Sequence, residues 1–93
     1  TGLTQVKSLL VKPPRVLESP ISFECHVQDI VSLGESGGAG QLIIAKVVQI
    51  HINKNYLDKE GNIDSEKLDL VARMGGDWYT RANKKSMFKI PKP

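Results

Sequence analysis

Residues 41–53, QLIIAKVVQIHIN, decide the fold of this chain. Side chains of different character alternate along them with the period of two that is typical of a β-strand. One face is apolar apart from Lys46, and it carries Leu42, Ile44, Val48, Ile50 and Ile52. The opposite face is apolar up to Val47 and polar from Gln49 onward. We therefore expect a strand buried on both sides in its first half and on one side in its second, as in the wall of a small barrel.

A second strand precedes this one and alternates more strictly. Residues 21–28 place polar and apolar side chains on opposite faces, which predicts a half-buried antiparallel strand. The polar face holds Ser22, Glu24, His26 and Gln28, and the apolar face holds Ile21, Phe23, Cys25 and Val27. Residues 32–40, SLGESGGAG, lie between the two strands. Their four glycines predict a hairpin loop, because their spacing fits neither G-x-G-x-x-G nor a P-loop, and a strand follows instead of a helix.

One short helix is predicted in the second half of the chain. Asp64 or Ser65 can cap its N-terminus, because a side-chain oxygen there accepts hydrogen bonds from the first free backbone N–H groups. Gly75 is placed to end the helix in a left-handed conformation. The apolar stripe between these ends has the spacing i, i+3, i+4, at Leu68, Val71 and Ala72. Prolines in the tail predict an extended segment over residues 77–93.

Two long strands, one short helix and an extended tail do not close a barrel. Two strands leave two open edges and one uncovered apolar face, so the chain needs strands from elsewhere. Its 93 residues form one domain at most, and the first residue is Thr1 and not Met. We expect the chain to be part of a larger domain.

Composition argues against several classes of protein. The 13 basic and 10 acidic residues give a net charge of +3, and no aromatic ladder stands between the cations, so nucleic-acid binding is not expected. No segment approaches the roughly 20 apolar residues of a membrane span, so no membrane association is expected. The single cysteine, Cys25, excludes an internal disulfide and fits a reducing compartment, which predicts a cytoplasmic location.

No catalytic or metal-binding constellation is recognisable. His26 and His51 lie on the polar faces of their strands, without ligand spacing to Cys25 or to an acidic pair, and each is expected at a surface or an interface. Cys25 is expected as a packed thiol on the apolar face. The acidic residues are expected to be solvated at turns and helix ends, and no serine has the local signature of a nucleophile.

Residues 73–79, RMGGDWY, hold the only tryptophan of the chain and leave two interpretations open. In the first, a helix stops and two aromatic residues cover the core. In the second, the paired glycines let the backbone approach a flat ligand, while Trp78 or Tyr79 stacks on it or hydrogen-bonds to it. Arg73 would then offer its charge to a phosphate.

Several segments in a consistent order resemble the flavin reductase-like family of FMN-binding split barrels. The likeness runs from residue 2 to residue 93. It is carried by GLT (2–4), VKPPRV (11–16), ESP (18–20), FEC (23–25), the helix start at 64–70, LVARMGGDWY (70–79) and FKIP (88–91).

This resemblance implies that residues 1–93 are the C-terminal half of one mainly β domain, a portion of an antiparallel FMN-binding split β-barrel whose N-terminal half is absent. Members of the family are homodimers that bind FMN and pass a hydride from NADH or NADPH to flavin. The chain would complete the barrel and the flavin pocket, and would be an oxidoreductase only together with its N-terminal half. The residues that the resemblance places at the cofactor are Glu18, Ser19, Arg73, Gly75, Gly76, Trp78 and Tyr79.

Two other functions stay open. A protein of the same fold could bind FMN for electron transfer without being an enzyme. A small β-rich module could instead use its open strand edges to bind a protein partner.

Overall fold

The computed structural model describes residues 2–93 and divides into two units, the first ending at Ile52 and the second being Asn53–Pro93. The strands are β1 (Gln5–Val6), β2 (Arg15–Val16), β3 (Ile21–Ser32), β4 (Gln41–Ile52), β5 (Leu70–Arg73) and β6 (Tyr79–Ala82). One helix, α1 (Ser65–Leu68), and one 3₁₀ turn (Lys54–Tyr56) complete the elements of the described residues. All strand pairs are antiparallel. The prediction of a mainly β fold with one short helix is confirmed.

A long hairpin of β3 and β4 dominates the first unit. The pairing runs from Ile21 with Ile52 to Ser32 with Gln41. Residues 33–40 form the loop at its end, which is closed by a hydrogen bond of 3.1 Å from the backbone N–H of Leu33 to the carbonyl of Gly40. The predicted strands and hairpin loop are therefore confirmed.

Two β-bulges interrupt the pairing of β3 with β4. The register passes from Glu24–Gln49 to Cys25–Val47 and leaves Val48 without a partner, and it leaves Gln28 without a partner further along. Cross-strand partners share a face of the sheet, so the bulge at Val48 brings the two apolar rows of β4 onto one side. That side carries Ile21, Phe23, Cys25, Val27, Ile30, Ile43, Ala45, Val47, Ile50 and Ile52. The strictly alternating faces predicted for β4 are wrong because a bulge moves every following side chain to the other face.

The continuous apolar face of this hairpin is open. Among residues 2–93 no hydrophobic side chain is buried, and Phe23 is 60% exposed. The buried residues are polar instead, Ser8 at 7% and Glu24 at 2% exposure. β4 is therefore not buried on either side by the described residues themselves, and the prediction that acidic residues are solvated is wrong at Glu24. The open apolar face predicted from the number of strands is present.

In the second unit, α1 ends much earlier than predicted. The carboxylate of Asp64 accepts hydrogen bonds from the backbone N–H groups of the first turn, which confirms the predicted cap. Asp69 then adopts φ 48°, in the left-handed region, and terminates the helix after four residues. Residues 70–73 form β5, so the prediction that the helix runs to Gly75 is wrong. No helix within the described residues is long and apolar enough to cross a membrane.

The strand β5 replaces the predicted second turn of the helix because it has a partner. It pairs with β6 from Leu70 with Ala82 to Arg73 with Tyr79. The guanidinium of Arg81 binds the carboxylate of Asp69 in an ion pair at the corner where α1 ends. The two residues of this ion pair are 12 positions apart in the chain. The local apolar spacing of Leu68, Val71 and Ala72 cannot reveal such a contact.

Candidate functional site

Glu24 forms a buried polar centre in the first unit. Its Oε1 accepts hydrogen bonds from the backbone N–H groups of Leu10 at 2.6 Å and Val11 at 3.2 Å. Its Oε2 accepts from the backbone N–H of Leu9 at 2.9 Å and lies 2.5 Å from Nε2 of His51. An ionised carboxylate has about four acceptor sites, so both oxygens are fully used. The carboxylate thereby fixes three consecutive backbone groups to the hairpin.

His51 belongs to this centre and is half-buried, which differs from its predicted position at a surface or an interface. It pairs across the hairpin with Ser22, so it lies diagonally next to Glu24 on the same face. The alternation of β3 and β4 had placed both residues on polar faces. The register between the strands was the missing information, since the loop length alone does not fix it.

Burial acts to raise the pKa of Glu24. Hydrogen bonds from the backbone of Leu9, from the side chain of His51 and from the next two backbone N–H groups outweigh it and lower the pKa to about 2. The carboxylate is therefore ionised at neutral pH and can only accept hydrogen bonds. It follows that Nε2 of His51 carries the hydrogen that it shares with Glu24.

Acid is expected to weaken this centre over a defined range of pH. The ordinary pKa of glutamate is 4.5 and the folded value for Glu24 is about 2, so the ionised carboxylate stabilises the folded state above about pH 5. That contribution falls as the pH drops from about 5 towards 2. Urea midpoints of the full-length protein and its Glu24→Gln variant, compared from about pH 7 to about pH 2, should converge in this range. A gap between the two that stays constant with pH would contradict the assignment.

A groove of about 290 Å³ lies beside this centre in the same unit. It is lined by Ser8, Val11, Pro13, Pro14, Arg15, Val16, Ser19, Ser22, Phe23 and Cys25. The hydroxyl of Ser8 donates a 2.6 Å hydrogen bond to the carbonyl of Pro13 and so holds the turn that forms one wall. Cys25, predicted to be a packed thiol, is half-buried and free here.

Glu18 and Ser19, two of the residues assigned to a cofactor by resemblance, differ in their surroundings. Both carboxylate oxygens of Glu18 accept the backbone N–H of Thr4 at 3.0 Å, and hydrogen bonds from Thr4 lower the pKa of Glu18. Ser19 lines the groove. Glu18 thus holds the chain before β1, whereas Ser19 is available to a ligand.

The other assigned residues come together in the second unit, in the turn between β5 and β6. The backbone N–H of Met74 donates to the carbonyl of Trp78 at 2.9 Å, and that of Trp78 donates to Gly75 at 3.0 Å. Gly76 has φ 55°, a conformation that favours glycine. A Cβ atom added at Gly75 or Gly76 would meet nothing within 4 Å, so the backbone of this turn is open to close approach.

The aromatic residues of this turn are exposed. Trp78 is 79% and Tyr79 59% accessible, and Nη2 of Arg73 donates a long 3.4 Å hydrogen bond to the carbonyl of Gly76. The helix stop of the first interpretation is wrong because this turn connects β5 with β6, and within the described residues neither ring covers a core. The turn offers two flat rings and a guanidinium to a ligand or to another protein surface.

A wider groove of about 670 Å³ in the second unit has mixed charge. Its lining residues Asp58 and Asp64 already accept backbone N–H groups of their own turns. Lys84 and Lys89 also line this groove. Within residues 2–93 no three His, Cys, Asp or Glu side chains are grouped so that they could hold a metal ion.

No protein-family model matches the chain. Curated relatives include an uncharacterized protein of Halalkalibacterium halodurans, 38% identical over 80 residues, covering 84% of this chain and 38% of the relative. An uncharacterized protein of Aquifex aeolicus is 30% identical over 89 residues, covering 96% of this chain and 43% of the relative. The uncharacterized protein YwrF of Bacillus subtilis is 29% identical over 84 residues, covering 87% of this chain and 41% of the relative. The chain thus spans less than half the length of the curated relatives it matches.

Two solved structures share the fold. Component B of nitrilotriacetate monooxygenase from Bacillus cereus is 29% identical with a TM-score of 0.79, covering 95% of this chain and 43% of that protein. The 2-nitrobenzoate 2-nitroreductase NbaA of Pseudomonas fluorescens is 20% identical with a TM-score of 0.76, covering 97% of this chain and 45% of that protein. Both are similar to this chain over nearly its whole length, and both extend well beyond it.

Proposed function

We propose that this chain is the C-terminal half of a flavin reductase-like, FMN-binding domain, and that the whole domain transfers hydride from NADH or NADPH to flavin. The observation that carries this proposal is the match of 95% of the chain to component B of a monooxygenase, at 29% identity and a TM-score of 0.79. The second solved relative is a reductase. Redox reactions of this kind are carried out by cofactors that the protein binds and orients.

The chain's main contribution would be structural. The continuous apolar face of the β3–β4 hairpin is exposed, with Phe23 and its partner Ile50 both open to solvent. An apolar face of this extent is typical of a surface that another element covers. We infer that the remaining part of the domain covers it and closes the barrel, and that the finished domain forms a homodimer.

The chain's contribution to the flavin pocket would come mainly from the turn between β5 and β6. Its glycine backbone allows close approach, and Trp78 and Tyr79 provide flat surfaces for the isoalloxazine ring. Arg73, Gly75 and Gly76 complete this turn. When bound, FMN supplies the acceptor for the hydride, and these residues bind and orient it.

Flavin binding by the full-length protein tests this proposal. After purification and dialysis, the protein should keep the visible absorption spectrum of oxidised flavin. The Trp78→Leu variant should bind FMN about tenfold more weakly, because it loses a stacking ring. The control is Phe88→Leu, which removes an aromatic ring of similar exposure, 82%, outside the turn. A folded full-length protein that binds no flavin would sink the proposal.

Turnover separates the proposed enzyme from its rivals. Oxidation of NADH or NADPH in the presence of free flavin supports a reductase. Tight FMN binding without this turnover would favour an electron-transfer protein of the same fold. A stable monomer formed by the isolated 93-residue chain in gel filtration would favour an interaction module that binds a protein partner through its strand edges.

A further inference from the structure

The half of the β3–β4 hairpin nearest its loop is apolar on both faces. Ile30 pairs with Ile43 on one side, as part of the continuous apolar face described above. Cross-strand partners share a face, so the opposite side carries the next pair, Val31 with Leu42, and also Ile44. These last three side chains are all exposed. Val31, Leu42 and Ile44 are called the outer patch below.

The rest of the second face of the hairpin is polar. Towards the open ends of the strands it carries Ser22 paired with His51 and Glu24 paired with Gln49. Closing this sheet into the proposed barrel would bury the continuous apolar face on the inside and leave the second face outside. The outer patch would then be an apolar area on the outside of the domain, which is typical of a surface that contacts another protein.

Two opposite charges lie beside the outer patch on the same face. Asp29 is the cross-strand partner of Ile44, and Lys46 follows Ile44 by two residues in β4. Asp29 and Lys46 are therefore diagonal neighbours across the hairpin, and both are exposed. Neither of them belongs to an ion pair among the described residues. Both charges are therefore free to pair across an interface.

An apolar patch with one positive and one negative charge at its edge is complementary to a second copy of itself. A two-fold axis along the hairpin would lay β3 of one copy over β4 of the other. Val31 would then lie over Leu42 of the other copy, and Asp29 would lie beside Lys46 of the other copy. Each contact would occur twice, as in every isologous interface. A second copy thus supplies both the apolar surface and the charges that the outer patch requires.

We propose that two copies of the full-length protein associate through the outer patch, with the apolar side chains at the centre of the interface and the Asp29–Lys46 pairs at its rim. The inference rests on the proposed function, which includes a closed barrel and a homodimer, and it assigns the surface through which the two subunits meet. Well-packed central contacts carry most of the affinity of an interface, whereas complementary charges contribute more to specificity and orientation.

Substitutions at two adjacent residues on opposite faces of β4 test this assignment. Leu42→Glu places a charge in the outer patch and should raise the dimer dissociation constant by about 100-fold or more, while the protein stays folded. Ile43→Glu places the same charge on the continuous apolar face and should prevent folding instead. Leu42→Ile keeps the patch apolar and should dimerise like the wild type. Analytical ultracentrifugation measures the dissociation constant, and circular dichroism reports on folding.

Exchange of the rim charges tests the two-fold arrangement. Asp29→Lys and Lys46→Glu each bring like charges together across the interface, and each should weaken self-association by about tenfold. When the two variants are mixed in equal amounts, they should associate with each other nearly as tightly as the wild type does with itself. The reason is that each introduced charge then meets its opposite. A mixture that associates no better than either variant alone would contradict the arrangement.

A monomeric wild-type protein, or a Leu42→Glu variant that dimerises like the wild type, would overturn the inference. A Leu42→Glu variant that fails to fold would overturn it too, because the outer patch would then be covered within one domain. The visible absorption of bound flavin separates this inference from the proposed function. If the wild type dimerises through the outer patch but binds no flavin, the proposed function fails and the interface stands. If it binds flavin as a monomer, the interface fails and flavin binding stands.

Discussion

Replacing Glu24 with alanine is expected to lower the melting temperature of the full-length protein by on the order of 10 °C. The variant leaves the backbone N–H groups of Leu9, Leu10 and Val11 without their acceptor, and it leaves His51 without its partner. Buried donors that lose their acceptor destabilise a fold more than the average hydrogen bond stabilises it. Differential scanning calorimetry measures the shift, and amide hydrogen exchange at the three N–H groups should accelerate.

Glu18→Ala is the matched control for this prediction. Glu18 also binds a backbone N–H group with both oxygens, at Thr4, but it lies exposed on the surface. Its loss should change the melting temperature much less, since water can replace the carboxylate there. Equal shifts for the two variants would show that the buried centre at Glu24 has no special weight in the stability of the protein.

Phe23→Asp is expected to prevent the full-length protein from folding, although Phe23 is 60% exposed in this chain. If the apolar face of the hairpin is covered by the rest of the domain, the substitution removes a packed ring and buries a charge. The two effects together should cost about 4 kcal/mol or more. Soluble expression and the unfolding midpoint in urea are the measurements.

The control for Phe23→Asp is Ser36→Asp in the exposed loop between β3 and β4. It introduces the same charge away from the apolar face and should change the unfolding free energy by less than about 0.5 kcal/mol. A well-folded Phe23→Asp variant with an unchanged midpoint would mean that the face stays open in the complete protein. The proposal that this chain completes a barrel would then be wrong.

The strands and the hairpin loop could be predicted because their signals are local. Alternation over 21–28, apolar residues over 41–52 and four glycines between them are visible in the sequence without any knowledge of what lies nearby. The cap at Asp64 is equally local. The extent of α1 was not predictable in this way, because Leu70–Arg73 fits both a helix stripe and a strand, and its choice depends on its pairing with β6.

The buried centre was missed for a related reason. The three N–H groups that bind Glu24 lie 13 to 15 residues before it in the chain, and backbone donors leave no mark on a sequence. Residues 73–79 lie together because they are adjacent in the chain, and they form the ends of β5 and β6 with the turn between them instead of a helix end. The groove beside Arg15 depends on contacts between the β1–β2 region and β3, which no spacing of residues reveals.

The two bulges of the long hairpin also constrain how its length can change in evolution. At one bulge β4 carries an extra residue, Val48, and at the other bulge β3 carries an extra residue, Gln28. The two extra residues compensate each other, so the strands return to the same register beyond the second bulge. Loss of only one of them would shift the outer part of the hairpin by one residue and bring polar side chains onto its apolar face. Length variants that lose both residues would keep that face intact. Insertions and deletions in this hairpin are therefore coupled, and homologous sequences should gain or lose these positions together.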